Sequence, residues 1–243
     1  MCTVTWVFER GGYELFTNRD EQLTRAAATG PVLVSDAAAT YLAPTDGEAG
    51  GTWISVNEHG TGITLLNNYQ VAGPAPDRRQ SRGRLVQGLA SARDLAEVHE
   101  RITALDCTRF MGFTVLALHP AGGARVYDWD GERLGTRTVD AQAQPLLVSS
   151  SHSEVERVRE LRSELLTARS NAAGGLAPEL LLDFHRSHEP EPSVYSVCMH
   201  RPGVETVSAT RVRVSAEHVT MSYCAGSPCR TAFGEPVALP RAQ

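Results

Sequence analysis

Cys2 and the run Asn18-Arg19-Asp20-Glu21 are the residues of this chain best suited to covalent chemistry. A cysteine that becomes the first residue after methionine removal carries its own base. Its freed α-amino group has a pKa near 7.7–8.0 and lies within reach of the sulfur. A thiol reacts as its thiolate, so an adjacent amine that accepts its proton makes Cys2 a candidate nucleophile. Because Cys is small, removal of Met1 is expected. Arg19 and Asp20 supply the supporting charges. A guanidinium lowers the pKa of a neighbouring thiol, and a carboxylate holds an α-amino group by a charge-assisted hydrogen bond.

These roles require the second segment to return beside the chain start, and the sequence between them has that character. Thr3-Val4-Thr5-Trp6-Val7-Phe8 is β-branched and aromatic and reads as a strand. Arg10-Gly11-Gly12 reads as a tight turn, and residues 13–17 as the returning strand of an antiparallel hairpin. A third element comes from residues 50–57, Gly-Gly-Thr-Trp-Ile-Ser-Val-Asn, read as a Gly-led strand. The turn Glu58-His59-Gly60 then leads into a strand over residues 62–66 that ends in Asn67-Asn68-Tyr69. An Asn side-chain amide aimed into a cleft from a strand end is a candidate oxyanion donor, and Asn67 holds that position. Asn67 and Asn68 are equally suited to starting a turn.

The order of these motifs resembles the NRDE family, whose eukaryotic namesake is the transport and Golgi organisation protein 2. The motifs are Met-Cys-Thr, Leu-Phe-Thr-Asn-Arg-Asp-Glu, Leu42-Ala43-Pro44, Gly-Gly-Thr-Trp-Ile-Ser-Val-Asn-Glu-His-Gly, Leu-Leu-Asn-Asn-Tyr and Ser81-Arg82-Gly83. That family is in turn similar to the N-terminal-nucleophile hydrolases, especially the choloylglycine hydrolase and penicillin V acylase branch. The resemblance implies Cys2, Arg19, Asp20 and Asn67 as the catalytic set, with Arg and Asp adjacent here and spaced apart in the acylases. The position of a second Asn in those acylases falls in the serine run Val148-Ser149-Ser150-Ser151. The resemblance also implies a four-layer αββα sandwich, and hydrolysis or acyl transfer on a linear amide without a cofactor. As an alternative, some members of the family are linked to haem handling, which implies a carrier of a hydrophobic small molecule.

Composition bounds these readings. A chain of 243 residues with 42% hydrophobic content can bury one sizeable core, read here as a single domain over residues 1–243. No stretch approaches the roughly 20 apolar residues needed to span a membrane, and no basic and apolar leader precedes Cys2. A net charge of -5 argues against a general nucleic-acid surface. Five cysteines, Cys2, Cys107, Cys198, Cys224 and Cys229, without an export signal favour free thiols and a cytoplasmic location. The pair Cys224 and Cys229 gives only a weak zinc signal, and no metal is expected. His185 and His188 lie three apart on an expected helix, a spacing commoner for a polar face than for a ligand pair.

The rest of the chain alternates helices and strands. Residues 81–104 read as a helix broken near Ala90-Ser91, with Ser91 capping the second part. Residues 113–119, 125–130 and 133–139 read as strands, residues 153–170 and 178–187 as helices, and residues 195–200, 206–214 and 218–222 as closing strands. The fold class is α+β.

Overall fold

The computed structural model describes residues 2–71, 73–140, 143–149 and 151–242. The removal expected of Met1 and the possible role of Ser150 lie outside them. The strands, in chain order, are β1 (Cys2–Glu9), β2 (Gly12–Gln22), β3 (Thr29–Ser35), β4 (Thr40–Thr45), β5 (Ile54–Asn57), β6 (Gly62–Asn67), β7 (Phe113–His119), β8 (Gly123–Trp129), β9 (Leu134–Val139), β10 (Leu146–Ser149), β11 (His200–Arg201), β12 (Val204–Val214), β13 (His218–Cys224) and β14 (Val237–Pro240). The α-helices are α1 (Arg82–Leu89), α2 (Leu95–Thr103), α3 (Val155–Ala173) and α4 (Pro178–Arg186).

Two antiparallel sheets form the centre. One runs β10-β1-β2-β12-β13-β14, with β11 attached to β12, and the other runs β3 through β9 in chain order. Their facing sides bury Val4, Trp6, Leu15, Leu42, Ile54, Val56, Leu66, Leu116, Val212 and Met221 in a common core. The outer face of the second sheet is covered by α1 and α2, whose Leu85, Leu89, Val98 and Ile102 pack on Ile63, Val115 and Tyr127. The outer face of the first sheet is covered by α3 and α4, through Leu166, Leu181 and Phe184 against Phe16. The layers are therefore helix, sheet, sheet, helix.

The turn at Gly11, where φ is +83°, joins β1 and β2 as a hairpin because glycine enters the left-handed region at no steric cost. Strand β2 runs five residues beyond residue 17, since β12 pairs with it as far as Gln22. The broken helix over residues 81–104 becomes α1 and α2. The cap of α2 is Asp94, not Ser91: the Asp94 carboxylate accepts from the N–H groups of Ala96 and Glu97.

Three readings are corrected. Residues 50–53 are not strand, because Gly51 packs its backbone against Gly83, where an added Cβ would lie 2.8 Å from the Gly83 Cα. Residues 195–199 are irregular, and only His200 of that expected strand joins the sheet. Helix α4 ends at Arg186, so His185 and His188 do not share a helix face. His185 is buried between Thr5 and Asn18, whereas His188 packs edge-on against His200 with ring centres 5.0 Å apart.

Candidate active site

The register of the β1–β2 hairpin sets Cys2 opposite Arg19. On its other side, the β1–β10 pairing sets Cys2 opposite Ser149, which is buried and has no hydrogen-bond partner for its hydroxyl among the described residues. Adjacent residues of a strand face opposite ways, so the pleat separates Arg19 from Asp20. Arg19 lies on the side of the facing sheet, with its guanidinium carbon 4.9 Å from the centre of the Trp53 ring. Asp20 lies on the helix side, where its Oδ1 accepts from the Thr206 hydroxyl at 2.5 Å.

The charges around Cys2 are of both signs. Burial pushes the thiol above its ordinary pKa; the Asp20 carboxylate adds to that shift, while the Asp20 N–H and the Arg19 charge pull it down. Arg19 acts on the thiol in the direction expected from sequence, but burial outweighs it. The resting sulfur is a thiol, so reaction requires a base rather than a preformed thiolate. Burial likewise raises Asp20, and the Arg162 charge and the Thr206 hydroxyl oppose that shift.

Arg19 opens onto a cleft of about 400 Å³ lined by Glu21, Arg25, Asp46, Trp53, Asn67, Tyr69, Arg82 and neighbouring residues. Cys2 is not one of the lining residues, but two of them lie close enough to feel its charge when it ionises. The burial-raised Tyr69 is pushed further up by Cys2, and the burial-lowered Arg82 is pulled back up by Tyr69 and Cys2. Asn67 lines the same cleft from the end of β6, and its Nδ2 donates to the Tyr69 hydroxyl at 2.8 Å. Arg82 donates to the Gly112 carbonyl at 2.9 Å, and its guanidinium carbon lies 5.7 Å from the Tyr69 ring centre. The structure therefore brings Cys2, Arg19 and Asp20 together on one hairpin and sets Asn67 in the cleft wall opposite.

Sequence reasoning did not assign Asp46 to the site. It bonds Arg19 at 2.6 Å and receives two bonds from Arg25, at 3.1 and 2.8 Å, which fixes the Arg19 guanidinium at the cleft. Burial works against its charge. The Arg25 hydrogen bond, the Ala49 N–H and the Arg19 charge prevail and hold the carboxyl at about 2. The folded pKa is below the ordinary carboxylate value. This stabilisation is accordingly complete above the unfolded pKa and is lost as pH falls through the folded one. It corresponds to about 2 kcal/mol. Asp46→Asn is expected to lower the melting temperature at pH 6 by several degrees and to lose most of that deficit near pH 2. An unchanged difference across that range would show that Asp46 carries no such charge interaction.

Arg162 was also not legible. It reaches from α3 into the helix-side layer beneath β1, 1% exposed. It donates to Thr3 Oγ1 at 2.5 Å and to the carbonyls of Val194, Tyr195 and Ser196 at 3.3, 3.1 and 2.5 Å. These carbonyls are taken by a guanidinium, that of Val197 by the Asn18 amide and that of Cys198 by the Ser196 hydroxyl, instead of by a strand ladder, which is why residues 195–199 are irregular. Neutral His185, pushed down to about 3 by burial and by Arg162, joins the same layer. The Asn18 carbonyl oxygen can only accept, so His185 Nδ1–H donates to it and Nε2 accepts from the Thr5 hydroxyl, both at 2.9 Å.

The chain matches Transport and Golgi organisation 2 over residues 1–219. It belongs to that family. No curated protein matches it in sequence. Among solved structures, the family member described here is similar to the C2A variant of the conjugated bile acid hydrolase from Clostridium perfringens, with a TM-score of 0.59, 11% identity, and 99% of this chain and 92% of that chain covered. It is similar to the Caenorhabditis elegans orthologue of N-acylethanolamine-hydrolysing acid amidase, with a TM-score of 0.59, 10% identity and coverage of 87% and 92%. The penicillin V acylase of Agrobacterium tumefaciens gives a TM-score of 0.55 at 12% identity, covering 93% of this chain and 83% of that one. At these identities the likeness is one of fold, the N-terminal-nucleophile hydrolase sandwich. Among the described residues no helix is long and apolar enough to cross a membrane.

Proposed function

We propose that this chain is an N-terminal cysteine hydrolase of linear amides, working after Met1 has been removed. The observation that carries the reading is the pairing of Cys2 with Arg19 beside a cleft that also holds Asn67. The proteins of like fold, named as a bile acid hydrolase, an acid amidase and an acylase, support it. The freed α-amine of Cys2, held by Asp20, takes the thiol proton as the sulfur attacks the amide carbonyl carbon. Asn67 stabilises the oxyanion, the C–N bond breaks, and the α-ammonium returns its proton to the departing nitrogen. Water then attacks the thioester with the same amine as base, releasing the carboxylic acid and restoring the thiol.

The cleft suggests the substrate's charge. Arg79 and Arg82 line it, and neither forms an ion pair among the described residues, so a substrate carboxylate is the fitting partner. N-acyl amino acids have both that carboxylate and a linear amide. A panel of them, matched against the corresponding neutral N-acyl amines, tests the reading on protein whose intact mass shows Cys2 first. Turnover that favours the carboxylate-bearing members is expected. No turnover of any amide, with a saturable spectral change on haem titration, would replace the hydrolase with the alternative of a haem carrier.

A further inference from the structure

Four side chains with metal-binding atoms converge behind the candidate active site, on the side of the first sheet away from the cleft. Ligand atoms of His188, Cys198, His200 and Cys229 all lie within 4.8 Å of one another. His200 Nε2 is 3.6 Å from the Cys198 sulfur and 3.3 Å from the Cys229 sulfur. In a tetrahedral zinc site with bonds of about 2.3 Å to sulfur and 2.0–2.1 Å to nitrogen, the nitrogen-to-sulfur edges are about 3.6 Å. The two measured edges are therefore near the size of such a coordination shell.

The surroundings agree. Cys198 is fully buried, and His188 Nε2 is buried without a hydrogen-bond partner among the described residues. An unpartnered buried ring nitrogen is costly unless something binds it. Glu205 Oε2 lies 3.3 Å from His200 Nδ1, placing a carboxylate beside the ring nitrogen that faces away from the sulfurs. His200 Nδ1 makes no hydrogen bond among the described residues, so this carboxylate is a neighbouring charge within reach of the bond that commonly orients a ligating histidine. Cys224, five residues before Cys229, is turned elsewhere: its sulfur donates to the carbonyls of Gly226 and Thr231. The pairing that primary spacing suggests is thus not the one the fold makes.

We infer that His188, Cys198, His200 and Cys229 form a closed structural zinc site. Two thiolates balance the charge of the cation, and four protein ligands leave no position for substrate or water. Binding releases the two thiol protons to solvent, and no oxidant or reductant takes part. The site joins the irregular 187–199 segment and the start of β11 to the turn after β13. That segment presents the carbonyls that Arg162 holds, and its Met199 N–H donates to the Thr206 hydroxyl that bonds Asp20. Zinc would therefore fix the backbone under Asp20, while taking no part in the chemistry.

The test is the zinc content of the full chain, purified without a histidine tag and under reducing conditions. About one zinc per chain is expected, lost in Cys229→Ser and in His188→Ala and retained in Cys224→Ser. Cobalt added to chelator-treated wild-type protein should give the visible ligand-field bands of a tetrahedral thiolate site. Zinc should also slow chymotrypsin cleavage after Tyr195, within the stapled segment. Folded wild-type protein that takes up neither zinc nor cobalt overturns the inference, whatever the variants do. A Cys198–Cys229 disulfide in freshly purified metal-free protein overturns it as well.

Discussion

Cys2→Ala is expected to reduce amide turnover to the level of buffer controls, and Asn67→Ala to lower kcat by roughly 10²–10³, the usual loss for one oxyanion donor. The two effects separate by cause. Removing the sulfur removes the atom that forms the thioester, so no substrate concentration restores the rate. Removing the Asn67 amide leaves nucleophile and base in place and withdraws a donor needed only once the carbonyl oxygen has become negative. The loss is then in kcat, with little change in KM if chemistry limits the rate. Asn67 also donates to Tyr69, so Tyr69→Phe is the control: it removes that partner but keeps the amide. Turnover that persists in Cys2→Ala would end the nucleophile assignment. An Asn67→Ala effect confined to KM would make Asn67 a substrate-binding group.

Arg162→Met is expected to have the largest effect on stability. The substitution keeps much of the apolar volume, but it strips the Val194, Tyr195 and Ser196 carbonyls and the Thr3 hydroxyl of their donor. It also removes one of the charges that hold the Asp20 pKa down. Leaving several buried acceptors without their donor costs about 1–3 kcal/mol each, so the summed cost is about 3–5 kcal/mol. In a chain of this size that is about 10 °C or more in Tm. Asp20→Asn in the same chain should restore part of the loss, because the buried carboxylate that the Arg162 charge helps to stabilise is then gone. The pH dependence has a definite sign. Burial already raises Asp20 in the folded state, and losing Arg162 raises it further. Folding is then favoured where Asp20 is protonated, and this contribution is lost as pH rises through the folded pKa. The variant should therefore lie closest to wild type in acid and fall away from it as pH rises. A Tm within about 2 °C of wild type at neutral pH would show Arg162 to be a minor packing residue.

The sequence by itself determined the parts of this protein whose causes are local. The β1–β2 hairpin was legible because a β-branched run, a Gly-Gly turn and a second apolar run specify it without help from the rest of the chain. With the hairpin came the neighbourhood of Cys2, Arg19 and Asp20, since antiparallel pairing across a short turn leaves little freedom of register. Helices α1 to α4 were legible from their 3.6-residue periodicity. Strands β3 and β4 were not. Thr29–Ser35 is partly exposed at a sheet edge and contains Pro31, so it lacks the apolar alternation that marks a strand. Residues 195–199 have strand-forming side chains, but Arg162 takes the carbonyls a neighbouring strand would have used, and tertiary contact overrode propensity.

Only the tertiary structure decided the groups assembled from distant segments. Asp46 meets Arg19 across the two sheets, Arg162 meets the Asp20 layer from α3, and Cys229 meets Cys198 and the two histidines from the turn after β13. No local pattern encodes these meetings, because a polar residue looks the same in sequence whether it ends in solvent or beside a buried charge. It is the stacking of helix, sheet, sheet and helix that takes these groups out of water and leaves each one a neighbour as its remaining partner.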